Sequence, residues 1–247
     1  MLNLLLIKKI KIMANYFTRA SVETRTKVMN KVYGYMFLGL MTSAIVAALF
    51  AYIPEFYSLI YKVGEAGQTS LSVAGWVVLL SPLLLVFFFG KAADMGIGAM
   101  KSLFVIFSVL LGASLSSIFL VYTESSILMC FLITAVTFGC MSLYGYTTKK
   151  DLSSIGSLLL MALIGIIIAS VVNLFLRSEM MDFIVSIIAV VVFVGLTAYD
   201  TQKIKEELSR CYSDEEAHKI AIFGALSLYL DFINMLLQIL RLLGNKK

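Results

Sequence analysis

The chain has one histidine and three cysteines in 247 residues, and that scarcity removes most of the chemistry a soluble enzyme would use. His218 lies in the charged run Ser213 to Lys219, beside Glu215 and Glu216. A solvated loop histidine titrating near neutral pH is expected there. Cys130 and Cys140 fall in an apolar stretch and Cys211 in a polar one. Their spacing offers neither a disulfide framework nor a zinc site, and no neighbouring base or access activates a thiol. Glycine loops for phosphate, HExxH and GxSxG are all missing. Charge is scarce as well: 14% of residues are Asp, Glu, Lys or Arg, against 60% hydrophobic. With a mean hydropathy of +0.95, the composition excludes an ordinary soluble domain and indicates a polytopic membrane protein. Neither an enzyme nor a cofactor is expected.

What the chain has in quantity is long apolar runs. A spanning helix needs about 20 mainly apolar residues, and seven stretches qualify. They are roughly Val32–Ile53, Val73–Gly90, Ser102–Tyr122, Ile127–Tyr146, Ile155–Leu176, Phe183–Ala198 and Ile220–Leu243. The sixth is short and borrows Asp200 and its neighbours to reach the interface. Residues 32–247 therefore read as a single transmembrane domain behind a cytoplasmic segment, 1–31. Of that segment 1–12 reads as dispensable, because Met13 followed by ANYFTR serves equally well as a start. The largest connection, Thr201–Lys219, is too small to fold alone. Basic residues gather on the side that holds Lys27, Lys31, Lys91, Lys101, Lys149, Lys150, Lys203, Lys205, Arg210 and Lys219, whereas the opposite loops hold Lys62 and Arg177. By the positive-inside rule the N-terminus is cytoplasmic. The net charge of +5 is then a topology signal, and no nucleic-acid partner is implied. The basic end at Arg241, Lys246 and Lys247 breaks the rule, which leaves open a last segment that re-enters.

Two carboxylates stand out in these runs. Asp200 ends VVVFVGLTAYD, and Asp231 lies within IFGALSLYLDFINMLLQIL. A carboxylate in hydrocarbon costs about 2.5–3.5 kcal/mol even on the lenient insertion scale, which makes each a functional-site candidate. In the last stretch Gly224, Ser227, Asp231, Asn234, Gln238 and Arg241 repeat at offsets of three and four, so they share one helix face. Such a stripe needs protein or water around it. We expect Ser227, Asn234, Gln238 and Arg241 to line a path. The alternative is a packing stripe of interhelical hydrogen bonds. Asp200 is expected near the cytoplasmic end of its span and Asp231 deeper. If the two meet they cannot both ionise cheaply, and would share a proton and titrate as a pair. An intramembrane aspartyl protease is disfavoured: Tyr199-Asp200 matches its YD context, but no GxGD surrounds Asp231.

Phe193-Val-Gly-Leu-Thr-Ala-Tyr-Asp-Thr-Gln-Lys-Ile-Lys205 and Ala225-Leu-Ser-Leu-Tyr-Leu-Asp-Phe-Ile-Asn234 closely resemble the signature segments of the Bax inhibitor-1 family. Leu143-Tyr-Gly-Tyr-Thr-Thr-Lys-Lys-Asp-Leu152 and Ala162-Leu-Ile-Gly165 resemble its middle region. The resemblance runs from about Tyr16 to Gly244, and the compact form is similar to bacterial members of the inner membrane. It implies an all-α integral membrane protein of seven transmembrane helices, the C-terminal helix central and wrapped by the first six. It implies a pH-sensitive calcium leak gated by Asp200 and Asp231, with Lys91 as the basic partner in the closed state. Calcium is then the permeant ion and not a cofactor, and the protein is expected as a monomer in the lipid bilayer. Two alternatives stay open: a regulatory protein binding a membrane protease or cell-death and stress proteins, and a proton-coupled transporter.

Overall fold

A computed structural model describes the backbone of residues 2–63, 69–91, 96–211 and 213–247, and the side chains of 26–62, 70–82, 84–85, 89, 96–211 and 213–247. The fold is all-α apart from one small hairpin. Helix α1 spans Leu2–Tyr52, followed by α2 (Pro54–Ile60), strands β1 (Tyr61–Val63) and β2 (Thr69–Leu71), α3 (Val73–Lys91), α4 (Ile97–Leu115) and α5 (Ser117–Val121). Then come α6 (Glu124–Thr147), α7 (Ser153–Leu176), α8 (Glu179–Arg210) and α9 (Asp214–Leu243). The strands pair antiparallel with Tyr61 opposite Leu71. Among the described residues six helices are long and apolar enough to cross a membrane. The protein is an integral membrane protein. Helix α3 contains Pro82, and its described apolar part, Val73–Pro82, is shorter.

Local chemistry sets the helix boundaries. The hydroxyls of Thr123, Ser178 and Ser213 accept backbone N–H bonds at the starts of α6, α8 and α9, filling the orphan donors of a first turn. Acidic residues follow each cap, with Asp214, Glu215 and Glu216 together in the first turn of α9. There the positive end of the helix dipole favours them. Arg177, in the left-handed region at φ 51°, ends α7.

One expectation is corrected here. Thr201–Lys219 is not a loop: α8 runs to Arg210 and α9 begins at Asp214. The extensions are amphipathic, and Ile204, Leu208, Ala217 and Ala221 are buried between them. Two helices that bury such a stripe against each other need no membrane to stay helical. Helix α8 therefore continues ten residues past Asp200, about 15 Å at 1.5 Å per residue.

Helix α9 is the inner element. Its apolar window is 67% buried, against 11–39% for the other five long helices. It packs on α1, α4, α6 and α8, and Phe223 meets Phe89 of α3 edge-on. Tyr229, fully buried, packs between Phe104 and Phe107 and shares a hydrogen bond with Ser43 Oγ at 2.6 Å. The Ser43 hydroxyl also bonds the Ser108 carbonyl at 2.7 Å, tying α9 to α1 and α4. The helix is continuous for 30 residues, about 45 Å, and does not turn back, so the re-entrant version fails. Its start lies beside Lys31. Its far end is clasped where α5 meets α6: Thr123 N–H donates to the Asn245 carbonyl (3.1 Å) and Lys247 N–H to that of Val121 (2.9 Å).

Helices α6 and α8 cross closely at Gly145. A Cβ added there would run into the Ala198 backbone, which the i−4 hydrogen bonds of α8 hold rigid. Replacing Gly145 with valine should force the two helices apart and cost about 1–3 kcal/mol, as overpacking of a tight interior does. Thermal denaturation in detergent would read this as a lowered Tm. An unchanged Tm would mean that the crossing is looser than described.

Candidate functional site

The polar face of α9 is divided between two cavities. One, of about 390 Å³, lies at the end of the α8–α9 turn and is lined by Asp200, Lys203, Glu207, Glu216, Lys219 and Ser227, with Gly224 at its wall. The other, of about 570 Å³, lies between α7, α8 and α9 at the tail end and is lined by Asn234, Gln238, Arg241, Asp182, Ser170 and Asn173. Ser227 and Asn234 are seven residues apart, so about 10 Å of helix separates the cavities along α9. Asp231 occupies that interval, is 6% exposed, and lines neither cavity. The side chains of Ser227, Asn234, Gln238 and Arg241 all border open space, whereas the aspartate between them does not.

The relation of the two aspartates follows from helix register. Gly224 lies against Ile204, so the antiparallel pair sets Asp200 level with Leu228, about 5 Å along the axis from Asp231. Their charges act on each other. No hydrogen bond between them is found among the described residues, and Asp231 Oδ2 is buried without a partner. The register offsets the two aspartates by one helical turn. Lys203 and Glu207 act on the Asp200 charge from its own helix, and Lys219 faces the same cavity from α9. The side chain of Lys91 lies outside the described residues, so its expected pairing has no geometry here.

Helix α8 is anchored to a fixed frame. Gln202 accepts from Leu152 N–H and donates to the Lys150 carbonyl, both at 2.8 Å. Lys205 donates to the Tyr146 carbonyl at 2.6 Å and sits over the Tyr146 ring. The buried Thr201 hydroxyl meets Ser142 at 3.1 Å, which in turn meets Tyr33 at 2.6 Å. Residues either side of Asp200 are thus held by α6, α1 and the α6–α7 connection. His218 corrects an expectation too: it lies on α9, half-buried, and bonds α9 to α1. Lys31 Nζ donates to its Nε2 at 3.1 Å, and its Nδ1 donates to the Asp214 carbonyl at 2.7 Å. Sequence reading missed this because the apolar spacing of Ala217, Ala221 and Ile222 was the sign of helix, and the charges around it hid that sign. It also missed the Asp182–Arg241 pair, which joins residues of different helices.

Among the described residues no three His, Cys, Asp or Glu side chains converge. A cation would meet three carboxylates and a hydroxyl in the turn-end cavity, and one carboxylate with amide and hydroxyl oxygens in the tail-end one; with water, such oxygens suit a hard ion.

Comparison with known proteins matches this architecture to one family. The family model described as inhibitor of apoptosis-promoting Bax1 matches residues 25–247. The chain belongs to the Bax inhibitor-1 family. Its relatives in that family include an inner membrane protein, YbhL, of Escherichia coli, 44% identical over 93% of this chain and 94% of that protein. An uncharacterized protein, RP147, of Rickettsia prowazekii is 41% identical over 91% of this chain and 92% of its own length. Another from Borreliella burgdorferi is 41% identical over 93% and 96%. Matches of this extent carry the Bax inhibitor-1 assignment across the spans, both cavities and the tail.

The division into two cavities predicts an accessibility pattern. In a background with Cys130, Cys140 and Cys211 replaced, Ser227→Cys should react with a membrane-impermeant thiol reagent from one side and Gln238→Cys from the other. Asp231→Cys should react at least about tenfold more slowly than either, as a buried site does. Equal labelling of all three from one side would mean a single continuous cavity.

Proposed function

We propose that the protein is a pH-sensitive calcium leak of the bacterial inner membrane, with seven spans, α3 being the seventh, and no enzymatic activity. The observation that carries this reading is the buried Asp231 standing between two polar cavities on one helix face. The inner-membrane location draws on the name of the Escherichia coli relative. The basic residues place the α8–α9 turn and the N-terminus in the cytoplasm. In this reading α9 is the central helix, and the other six surround it.

The closed form keeps α9 against α8. Asp200, when ionised, attracts Lys219 across the turn-end cavity and Lys203 beside it. Both attractions act in a partly buried space, where screening by salt is weak. Protonation as pH falls removes the negative charge and with it the ionic attraction that holds the start of α9 to α8. A change equivalent to one pKa unit is worth about 1.4 kcal/mol, enough to move the closed–open ratio about tenfold. Once α9 shifts, the two cavities join along the stripe. Calcium then passes carboxylate, amide and hydroxyl oxygens while keeping much of its water. Glu55, Glu124, Glu179 and Asp182, in the first turns of α2, α6 and α8, raise the local cation concentration at the far mouth. A proton-coupled transporter would instead saturate with a substrate and carry protons stoichiometrically. A regulatory binding protein would conduct nothing.

In liposomes containing the purified protein, calcium flux should rise as the pH on the turn side falls. Asp200→Asn should flatten that dependence to within about twofold, since the tenfold lever of one titrating unit is gone. Full pH dependence retained in Asp200→Asn would sink the latch, and no flux at any pH would sink the leak.

A further inference from the structure

The tail-end cavity carries a charge arrangement that the latch does not use. Asp182 and Arg241 are the sole ionisable groups among its described lining residues, and they neutralise each other through one contact, Arg241 Nη1 to Asp182 Oδ1 at 3.2 Å. Both side chains are about half exposed, at 46% and 50%, so the pair stands at the mouth and not in the interior. Past it the lining is neutral, with Asn234, Gln238, Ser170 and Asn173 set among a larger number of apolar side chains. The Gln238 amide oxygen is buried with no hydrogen-bond partner among the described residues. The Asn234 amide nitrogen donates to the Leu230 carbonyl at 2.9 Å, which leaves its oxygen for the cavity.

We propose that Asp182 and Arg241 form a charge filter that favours cations over anions at the tail-end cavity; this rests on the cavity being part of an ion path. Arg241 closes the mouth as a cation paired to Asp182. A single-point ion pair half exposed to solvent holds weakly, with a worth near 0–1 kcal/mol, so it opens readily. When Arg241 swings away, the Asp182 carboxylate and the oxygens of Gln238 and Asn234 present hard ligands to a divalent cation. Asp182 is held in place by the first turn of α8, where Ser178 caps the helix. Arg241 sits on the last turn of α9 at the end of a long flexible side chain. The partner that moves is therefore the arginine, and the negative charge stays at the mouth. Because the two charges are the whole ionisable content of the described lining, removing either one leaves the cavity with the sign of the other.

The test measures that sign directly. In a cysteine-free background, Ser170→Cys is placed in the cavity wall and its reaction rates with a cationic and an anionic methanethiosulfonate are compared. Asp182→Asn should move the rate ratio toward the anionic reagent, and Arg241→Gln toward the cationic one, each by about threefold or more for one uncompensated charge in a confined cleft. The exchange Asp182→Arg with Arg241→Asp should restore the parent ratio within about twofold, which controls for misfolding in the single variants. Ratios that stay put in both single variants overturn the filter. Calcium flux is then read on the same proteins in liposomes. A fall in Asp182→Asn and a rise in Arg241→Gln support the filter as part of the path. Shifted labelling ratios with no flux in the parent leave the charge assignment standing and overturn the path on which the filter rests.

Discussion

Everything in this protein answers to one constraint: a carboxylate inside a spanning helix has to be enclosed by its own chain. Asp231 cannot face lipid, so α9 cannot lie on the outside of the bundle. A helix enclosed on all sides must be covered by apolar contacts on one face and can carry polar groups on the other. The covered face holds Leu228, Tyr229, Phe232 and Met235, all buried. The polar face meets α8 and α7, and the imperfect fit of polar side chains there leaves the two cavities. The same constraint accounts for the low burial of α7, at 11%, which wraps the outside and can be apolar all round.

Around that helix the hydrogen bonds fall into two groups. One set makes α8 a fixed frame: Gln202, Lys205 and Thr201 bind it to neighbouring backbone and side chains, so Asp200 has a defined position. The other set fastens α9 at its ends and middle, through His218 to Lys31, Tyr229 to Ser43 and the tail to the start of α6. A helix held at a few polar points, within greasy surroundings that offer no direction, can shift by small steps when one point is released. The two charged places, Asp200 with its lysines and Asp182 with Arg241, are at opposite ends of that helix. Control at two mouths of one path is what such a layout supports.

Six of the seven expected spans are long apolar helices among the described residues, and these were legible in the sequence because length and hydropathy decide them. The stripe from Gly224 to Arg241 was legible because offsets of three and four have one geometric meaning. The turn between the aspartates was misread as a loop: the charges of Lys203 to Arg210 drown the apolar repeat of Ile204 and Leu208, and burial against α9 is what makes that repeat helical. The offset between Asp200 and Asp231 could not be read at all, since register depends on how Ile204 seats against Gly224. The partnership of Asp182 with Arg241 joins positions 59 residues apart, and neither residue hints at the other.

The central claim is that protonation of Asp200 and opening of the path are one event. Infrared titration of the purified protein in lipid, with Asp200→Asn subtracted, isolates the carboxylic-acid carbonyl band of this one side chain. The account predicts a band that grows as pH falls, over the same pH interval in which calcium flux rises. A side chain that stays in one protonation state across that interval, while flux still changes, would contradict it.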